Sequence, residues 1–357
     1  MVAEIMLQDP KVYVCGGGNI GHSLVAAFGR HADVGILTRR PEAWARKLQY
    51  QIGSDVVYET NGRVIATDNP SIVKNASVII IALPRFAIEE ELSSIEPFLH
   101  KGQAVVFVPA PAGLESVAER LGKYGVEVVG FQRVPFISRI KEYGKFVGMG
   151  SVRPISKLAI PDVSKKEVWK KYFETAIGGK MEFLASFMSF TFSNSNPLLH
   201  PARLVELLQK EAYDSCPLFY AEWGDLASEL YVAADDEMRS VFEACDSEAA
   251  RLDYESALEH YGISNSNELT EKIRSIQAFK TIVAPYKKCE DDLWRPDFTS
   301  RYYTEDVPYG TCIIQQYARK VGISTPVIDM LISKIRGCIC TNVPHDNKLI
   351  NASYCYV

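Results

Sequence analysis

KVYVCGGGNIG, residues 11–21, is the stretch whose reading decides the fold. Val12, Tyr13 and Val14 form a short apolar run of strand type, and Gly16, Gly18 and Gly21 follow in G-x-G-x-x-G spacing. Leu24 and Phe28, four residues apart, then mark an amphipathic helix. Glycines between a strand and a helix are the context a dinucleotide fingerprint requires. Gly16 permits the tight turn, Gly18 lets the backbone approach a pyrophosphate, and Gly21 lets helix and strand pack closely. The helix start adds unpaired N–H groups and a partial positive charge that favour phosphate.

The pattern continues outward from this stretch. Residues 33–37 (DVGIL) read as a second strand ending in Thr38, Arg39 and Arg40. An acid at that place suits the ribose 2′-hydroxyl of NAD, and arginine suits the 2′-phosphate of NADP. The arginines and the missing acid predict NADP(H) as the preferred cofactor, with NAD(H) possible. Residues 41–52 read as a helix opened by Pro41. Residues 56–60 and 63–67 flank Asn61-Gly62, a hairpin signal. SVIIIAL, residues 77–83, is a strand buried on both faces, ended by Pro84. Ile88, Leu92, Ile95 and Leu99 recur at helical spacing. Residues 103–108 and 126–130 read as further strands around a helix marked by Leu114, Val117, Ala118 and Leu121. This alternation predicts an α/β Rossmann domain, a doubly wound and mainly parallel sheet. Residues 146–152 and 157–160 read as added strands, and Ser164 with Glu167 as a capping box for a helix reaching about Ile177. The aromatic run 183–192 reads as core.

Beyond Ser193 long helical patterns dominate, so an all-α C-terminal domain is expected. The division reads as 1–188 and 189–357. The 357 residues suit about two domains. Lys plus Arg is 39 against 44 for Asp plus Glu, a net −5, and no basic block occurs, which argues against nucleic acid as partner. The eight cysteines match no zinc spacing, so no metal is expected and a reduced, cytoplasmic setting is the simpler reading. Residues 1–10 lack a signal pattern, and no stretch approaches the ~20 apolar residues of a membrane span.

Two stretches differ from helix filler: SNSNPLLHP, residues 193–201, and RYYTEDVPYG, residues 301–310. With the glycine motif, the strand before Pro84 and the Gln132–Arg139 stretch, they make the chain resemble the opine dehydrogenases, the octopine and nopaline dehydrogenase family. The glycine motif is common to many families; N-P-x-x-H-P with R-Y-x-x-E-D-x-P-x-G is far more specific. The resemblance implies a Rossmann domain joined to a helical one. It also implies reductive condensation of an amino acid with a 2-oxo acid such as pyruvate, giving a secondary-amine dicarboxylate. It carries over His200 as the catalytic histidine, Asp306 as its acid and Arg301 as the holder of the oxo-acid carboxylate. Asn194 and Asn196 lie in the same motif as substrate contacts. The cofactor set is Gly16, Gly18, Asn19, Ile20 and Gly21, then Thr38, Arg39 and Arg40, then Leu83 and Pro84. A homodimer is implied as well.

The residue types suit this chemistry. Histidine can take a proton from an ammonium and give one to a departing hydroxyl near neutral pH. A carboxylate fixes its tautomer, and arginine grips a substrate carboxylate bidentately. His22, His31, His100, His260 and His345 lack comparable context and read as structural. Glu222 and Asp225 could greet a basic amino acid or be solvated helix residues. Two alternatives stay open: a 2-oxo acid reductase or alcohol dehydrogenase of the same architecture, and a non-catalytic NADP(H)-sensing protein.

Overall fold

The computed structural model describes residues 11–342; the readings for residues 1–10 and for His345 lie outside them. The chain divides between Phe190 and Thr191 into two compact units.

In the first unit the glycine stretch forms as read: β1 (Val12–Cys15) runs into α1 (Asn19–Gly29). The strands that follow are β2 (Val34–Leu37), β3 (Gln49–Ile52), β4 (Tyr58–Glu59), β5 (Val64–Thr67) and β6 (Val78–Ile81). Then come α2 (Arg85–Ile95), β7 (Ala104–Phe107), α3 (Leu114–Gly122) and β8 (Glu127–Phe131). A small-sheet pair, β9 (Ser138–Glu142) and β10 (Phe146–Met149), precedes β11 (Ile155–Ala159), α4 (Lys166–Ala176) and β12 (Lys180–Phe183). The main sheet has the order β12-β11-β8-β7-β6-β1-β2-β5. Its pairings are parallel except β11 against β8. The strand order reverses at β1, where an open α/β sheet binds ligands beyond its carboxyl ends. Val14, Ile36, Ile80 and Val106 pack on one face and Cys15, Ile79, Ile81 and Phe107 on the other, which is why these strands read as unbroken apolar runs.

The structure corrects three local readings here. Pro41 opens only a three-residue turn, Pro41–Ala43; Trp44 turns extended and packs its ring, tilted, against His22 with ring centres 4.2 Å apart, and Gln49–Ile52 is a strand. Asn61-Gly62 is not a hairpin. Residues 58–59 pair antiparallel with β3, whereas 64–67 pair parallel with β2, so the chain changes sheets there. Gly62 is needed for close approach instead: its N–H donates to Gly29 O at 2.9 Å, and a Cβ would lie 1.9 Å from Ala32 O. Ser164 does not cap its helix. Its hydroxyl donates to Asp162 Oδ1 at 2.6 Å, and Asp162 also takes the Ser164 N–H, a carboxylate outcompeting the hydroxyl as cap.

A second sheet, β4-β3-β10-β9, contains residues 146–149, so the added strand expected over 146–152 is shorter and lies outside the main sheet. It is fastened to the start of α1 by three bonds. Ser138 donates its hydroxyl to Asn19 O at 3.0 Å, Ile140 its N–H to Asn19 Oδ1 at 2.8 Å, and Gly144 its N–H to His22 Nε2 at 2.7 Å.

The second unit is helical, built on α5 (Asn196–Leu207), α6 (Asp225–Cys245), α7 (Ser266–Ser275), α8 (Cys312–Val321) and α9 (Pro326–Asn342). Phe192, Trp223, Tyr231 and Phe242 are fully buried in it. It is not all-α: Tyr286–Lys288 and Trp294–Pro296 pair as a two-stranded antiparallel ribbon. No described helix is long and apolar enough to cross a membrane.

Candidate active site

In the first unit the three glycines have distinct surroundings. Gly16 sits at φ +115, where a Cβ would meet Ala82 O at 2.6 Å and the Leu83 side chain at 2.8 Å. A Cβ on Gly21 would lie 1.8 Å from Gly16 O, so the third glycine seats the helix on the turn. A Cβ on Gly18 would touch nothing within 4 Å, which leaves the middle of the loop open for an approaching group. Pro84 stands in extended conformation at the start of α2. The Asn19 side chain is taken up by Ile140, as described, so its part in the loop is to anchor the second sheet; Ile20 is half-buried beside the core.

Arg40 places its guanidinium 3.8 Å above the Tyr143 ring, and the Tyr143 hydroxyl lies 3.2 Å from Thr38 Oγ1. Tyr143 comes from the tip between β9 and β10, 105 residues from Thr38, and nothing in its local sequence signals this role. Arg39 is exposed. Its charge reaches Glu91 on α2, a carboxyl that burial pushes up and that bonds the Cys15 thiol. His22 is fully buried. Burial, with Arg40 nearby, lowers it to about 4, against the bond to Gly18 O. It is therefore neutral, with Nδ1–H donating to Gly18 O at 2.9 Å and Nε2 accepting from Gly144.

In the second unit His200 stands on the first turns of α5. Its ring is buried, 7% exposed. Asp306 Oδ2 lies 2.8 Å from Nδ1 although 106 residues separate the two in sequence. A carboxylate only accepts, so Nδ1 carries the proton and Nε2 is the basic nitrogen. Tyr220 Oη lies 3.0 Å from Nε2. Burial first, then Tyr302, Tyr261 and Asp306, push the Tyr220 phenol well above its usual range, so it is protonated and donates. The Tyr302 ring packs 4.5 Å from the imidazole.

Asp306 and Tyr302 both belong to a π-helix, Tyr302–Thr311, with Pro308 inside it. Such wide turns are rare and recur at functional sites. Asp306 is thus held in a distorted helix rather than a loop turn. Arg301 caps the same helix; it is exposed, and its Nε donates to Glu305 Oε2 at 2.6 Å. Asn194 and Asn196 are exposed at the start of α5, where Asn194 Oδ1 accepts the Asn196 N–H at 3.2 Å. The motif histidine and acid are brought together; the motif arginine and asparagines do not contact the pair. Glu222 accepts the Leu218 N–H at 3.1 Å, a structural bond. Sequence reasoning missed Tyr220 and gave Tyr302 no role. Tyr302 precedes Asp306 by four residues, a helical spacing that signals a shared face, while Tyr220 has no local signal.

The comparisons agree with one another. The family described as NAD/NADP octopine/nopaline dehydrogenase, alpha-helical domain, matches residues 183–337, and NADP oxidoreductase coenzyme F420-dependent matches residues 11–111. Tauropine dehydrogenase of Arabella iricolor is 26% identical over 355 residues, covering 89% of this chain and 89% of its own. Octopine dehydrogenase of Pecten maximus is 27% identical over 353 residues, covering 90% and 88%. Octopine dehydrogenase solved with NADH and L-arginine superposes with a TM-score of 0.80 at 24% identity, over 93% of this chain and 90% of that one. The same enzyme with NADH and pyruvate gives 0.78 at 25% identity, over 92% and 89%.

Proposed function

We propose that the chain is an opine dehydrogenase, which condenses the amine of an amino acid with a 2-oxo acid such as pyruvate and reduces the product to a secondary-amine dicarboxylate. It is an NAD(P)-dependent oxidoreductase by family. The observation that carries the reading is the contact between the buried His200 ring and Asp306, in a chain that also has an open glycine turn at a helix start.

Asp306 keeps Nδ1 protonated and supports the imidazolium, so Nε2 takes the proton from the substrate ammonium and returns one to the departing hydroxyl. Tyr220 stands at that nitrogen and bears on the same proton. Arg301 offers a cation for the oxo-acid carboxylate, on the helix that carries Asp306. Asn194 and Asn196, at the exposed start of α5, offer amides to the substrates. The turn 16–21, with Leu83 and Pro84 beside it, suits a pyrophosphate, since the open Gly18 face and the α1 N–H groups point to the same place. The cofactor, when bound there, supplies the hydride.

NADP(H) is the preferred cofactor in this reading, supported by Arg40 held on Tyr143 and by the lack of an acid at 38–40. Residues 1–188 form the NADP(H)-binding domain and 189–357 the substrate domain, which also forms a homodimer. A cytoplasmic setting is supported by the seven described cysteines, all of them thiols rather than disulfides.

The test is a two-substrate panel read by NAD(P)H oxidation. Turnover that requires both an amino acid and an oxo acid is expected. Oxidation with the oxo acid alone would replace this reading with a simple reductase. Cofactor binding with no turnover across the panel would point to a sensor.

A further inference from the structure

Helix α5 contains a proline immediately after the catalytic histidine. Pro201 has no N–H to give the carbonyl four residues earlier, and that carbonyl belongs to Pro197. Both prolines are buried. A buried carbonyl without a donor is costly, so its partner matters. The partner is Thr311: its hydroxyl donates to Pro197 O at 2.5 Å. Thr311 is fully buried and is the last residue of the π-helix that carries Asp306. The same hydroxyl lies 3.4 Å from the Asp306 carbonyl, a longer contact that its one proton, given to Pro197, does not serve. Gly310 makes the approach possible, because a Cβ there would stand 2.7 Å from Pro197 Cγ.

We infer that Thr311 is a positioning residue for the reaction: its hydroxyl replaces the N–H that Pro201 lacks and so joins the segment bearing His200 to the segment bearing Asp306. Without this bond the two members of the pair ride on separate helices that have lost a buried hydrogen bond between them, and the 2.8 Å contact is held less firmly. A shift of about 1 Å at such a site costs on the order of a hundredfold in rate. The inference also gives Pro201 a purpose, since a proline that frees a carbonyl is what lets a second helix bond to this one. It rests on the reading of His200 and Asp306 as the catalytic pair, but the join itself can be tested without substrate.

Two measurements on the full-length protein separate these questions. The first needs no turnover. The downfield imidazole N–H resonance of His200, identified by its loss in His200→Ala, should persist in Thr311→Ser and broaden or disappear in the isosteric Thr311→Val. The second is kinetic. Thr311→Val should lower kcat on the order of tenfold to a hundredfold with the KM for the cofactor unchanged, and Thr311→Ser should restore it. In a Pro201→Ala background the helix supplies its own N–H to Pro197, so the Thr311→Val loss should shrink. An unchanged resonance in Thr311→Val, failure of serine to rescue, or an equal loss in both backgrounds would overturn the inference. A changed resonance in a protein that shows no condensation on the panel would keep the join and sink the functional reading instead.

Discussion

The glycine turn and the histidine–aspartate pair are built on opposite principles. Gly16, Gly18 and Gly21 work by having no side chains: two of the three stand where a Cβ would collide with backbone, and the third faces open space. The whole device fits in six consecutive residues. The pair works through side chains, and its members come from helices far apart in sequence, each departing from regular α geometry through a proline or a π-helix. A backbone device is specified locally and tolerates no added atoms; a side-chain device is specified by how two irregular helices are joined. The first pattern is shared among many families; the second is the more specific, and the proposed chemistry rests on it.

The comparison can be broken most sharply at His200. His200→Ala should lower kcat by about 10²–10⁴-fold while cofactor affinity, measured by fluorescence titration, stays near wild type. A loss of affinity of similar size would mean the two devices are not separable in this way. Next in size is a contrast within the turn. Gly21→Ala must displace Gly16 O and should destabilise the first unit by about 1–3 kcal/mol or more in thermal unfolding. Gly18→Ala should leave unfolding unchanged and weaken cofactor binding alone; equal Tm losses in both variants would refute the division of roles.

The third prediction concerns the arginines. One charge-assisted contact to a 2′-phosphate contributes about 1.5–3 kcal/mol, so replacing Arg39 and Arg40 with alanine should cut NADPH affinity roughly tenfold to a hundredfold and leave NADH nearly untouched. Wild type favouring NADH would remove the basis for it.

The smallest effect separates the two units by pH. His22, lowered to about 4 in the fold, is neutral there and protonates in the unfolded chain, so its contribution is present above about pH 6.5 and lost as pH falls toward 4. Asp235, raised to about 6 mainly by burial, goes the other way: the fold favours its protonated form, and stability rises as pH falls through 6. From about pH 7 to 5 the first loses about 2 kcal/mol and the second gains about 1 kcal/mol. Hydrogen exchange should show α1 amides opening more readily and α6 amides less. Parallel changes in both would contradict the assignment.

Much of this was legible in the sequence because it depends on composition and spacing. Apolar runs such as SVIIIAL announce strands covered on both faces, and the 3.6-residue recurrence of Ile88, Leu92 and Ile95 announces α2. The dyad was reached through two motifs, not through periodicity. What stayed hidden depended on tertiary competition. Asn61-Gly62 has hairpin chemistry, but the end of α1 takes its N–H. Pro41 can start a helix, but Trp44 is drawn to His22. Tyr143 and Tyr220 reach their sites from loops with no pattern of their own. Thr311 was invisible because its partner is a carbonyl, and a missing N–H leaves no mark beyond a proline that any helix start could explain.

The π-helix has a further consequence, one of counting. In an α-helix each residue turns about 100°. A wide turn absorbs an extra residue relative to that schedule, so the spacing between Arg301, Tyr302, Asp306 and Thr311 is tuned by length as much as by chemistry. Removing any one residue from this stretch would either tighten the wide turn into an α-turn or, if the wide geometry were kept, swing everything beyond the gap by roughly a quarter turn. Either way the offset between Asp306, which faces His200, and Thr311, which faces Pro197, would change. The number of residues in this segment is therefore as much a part of the site as the side chains of Asp306 and Thr311.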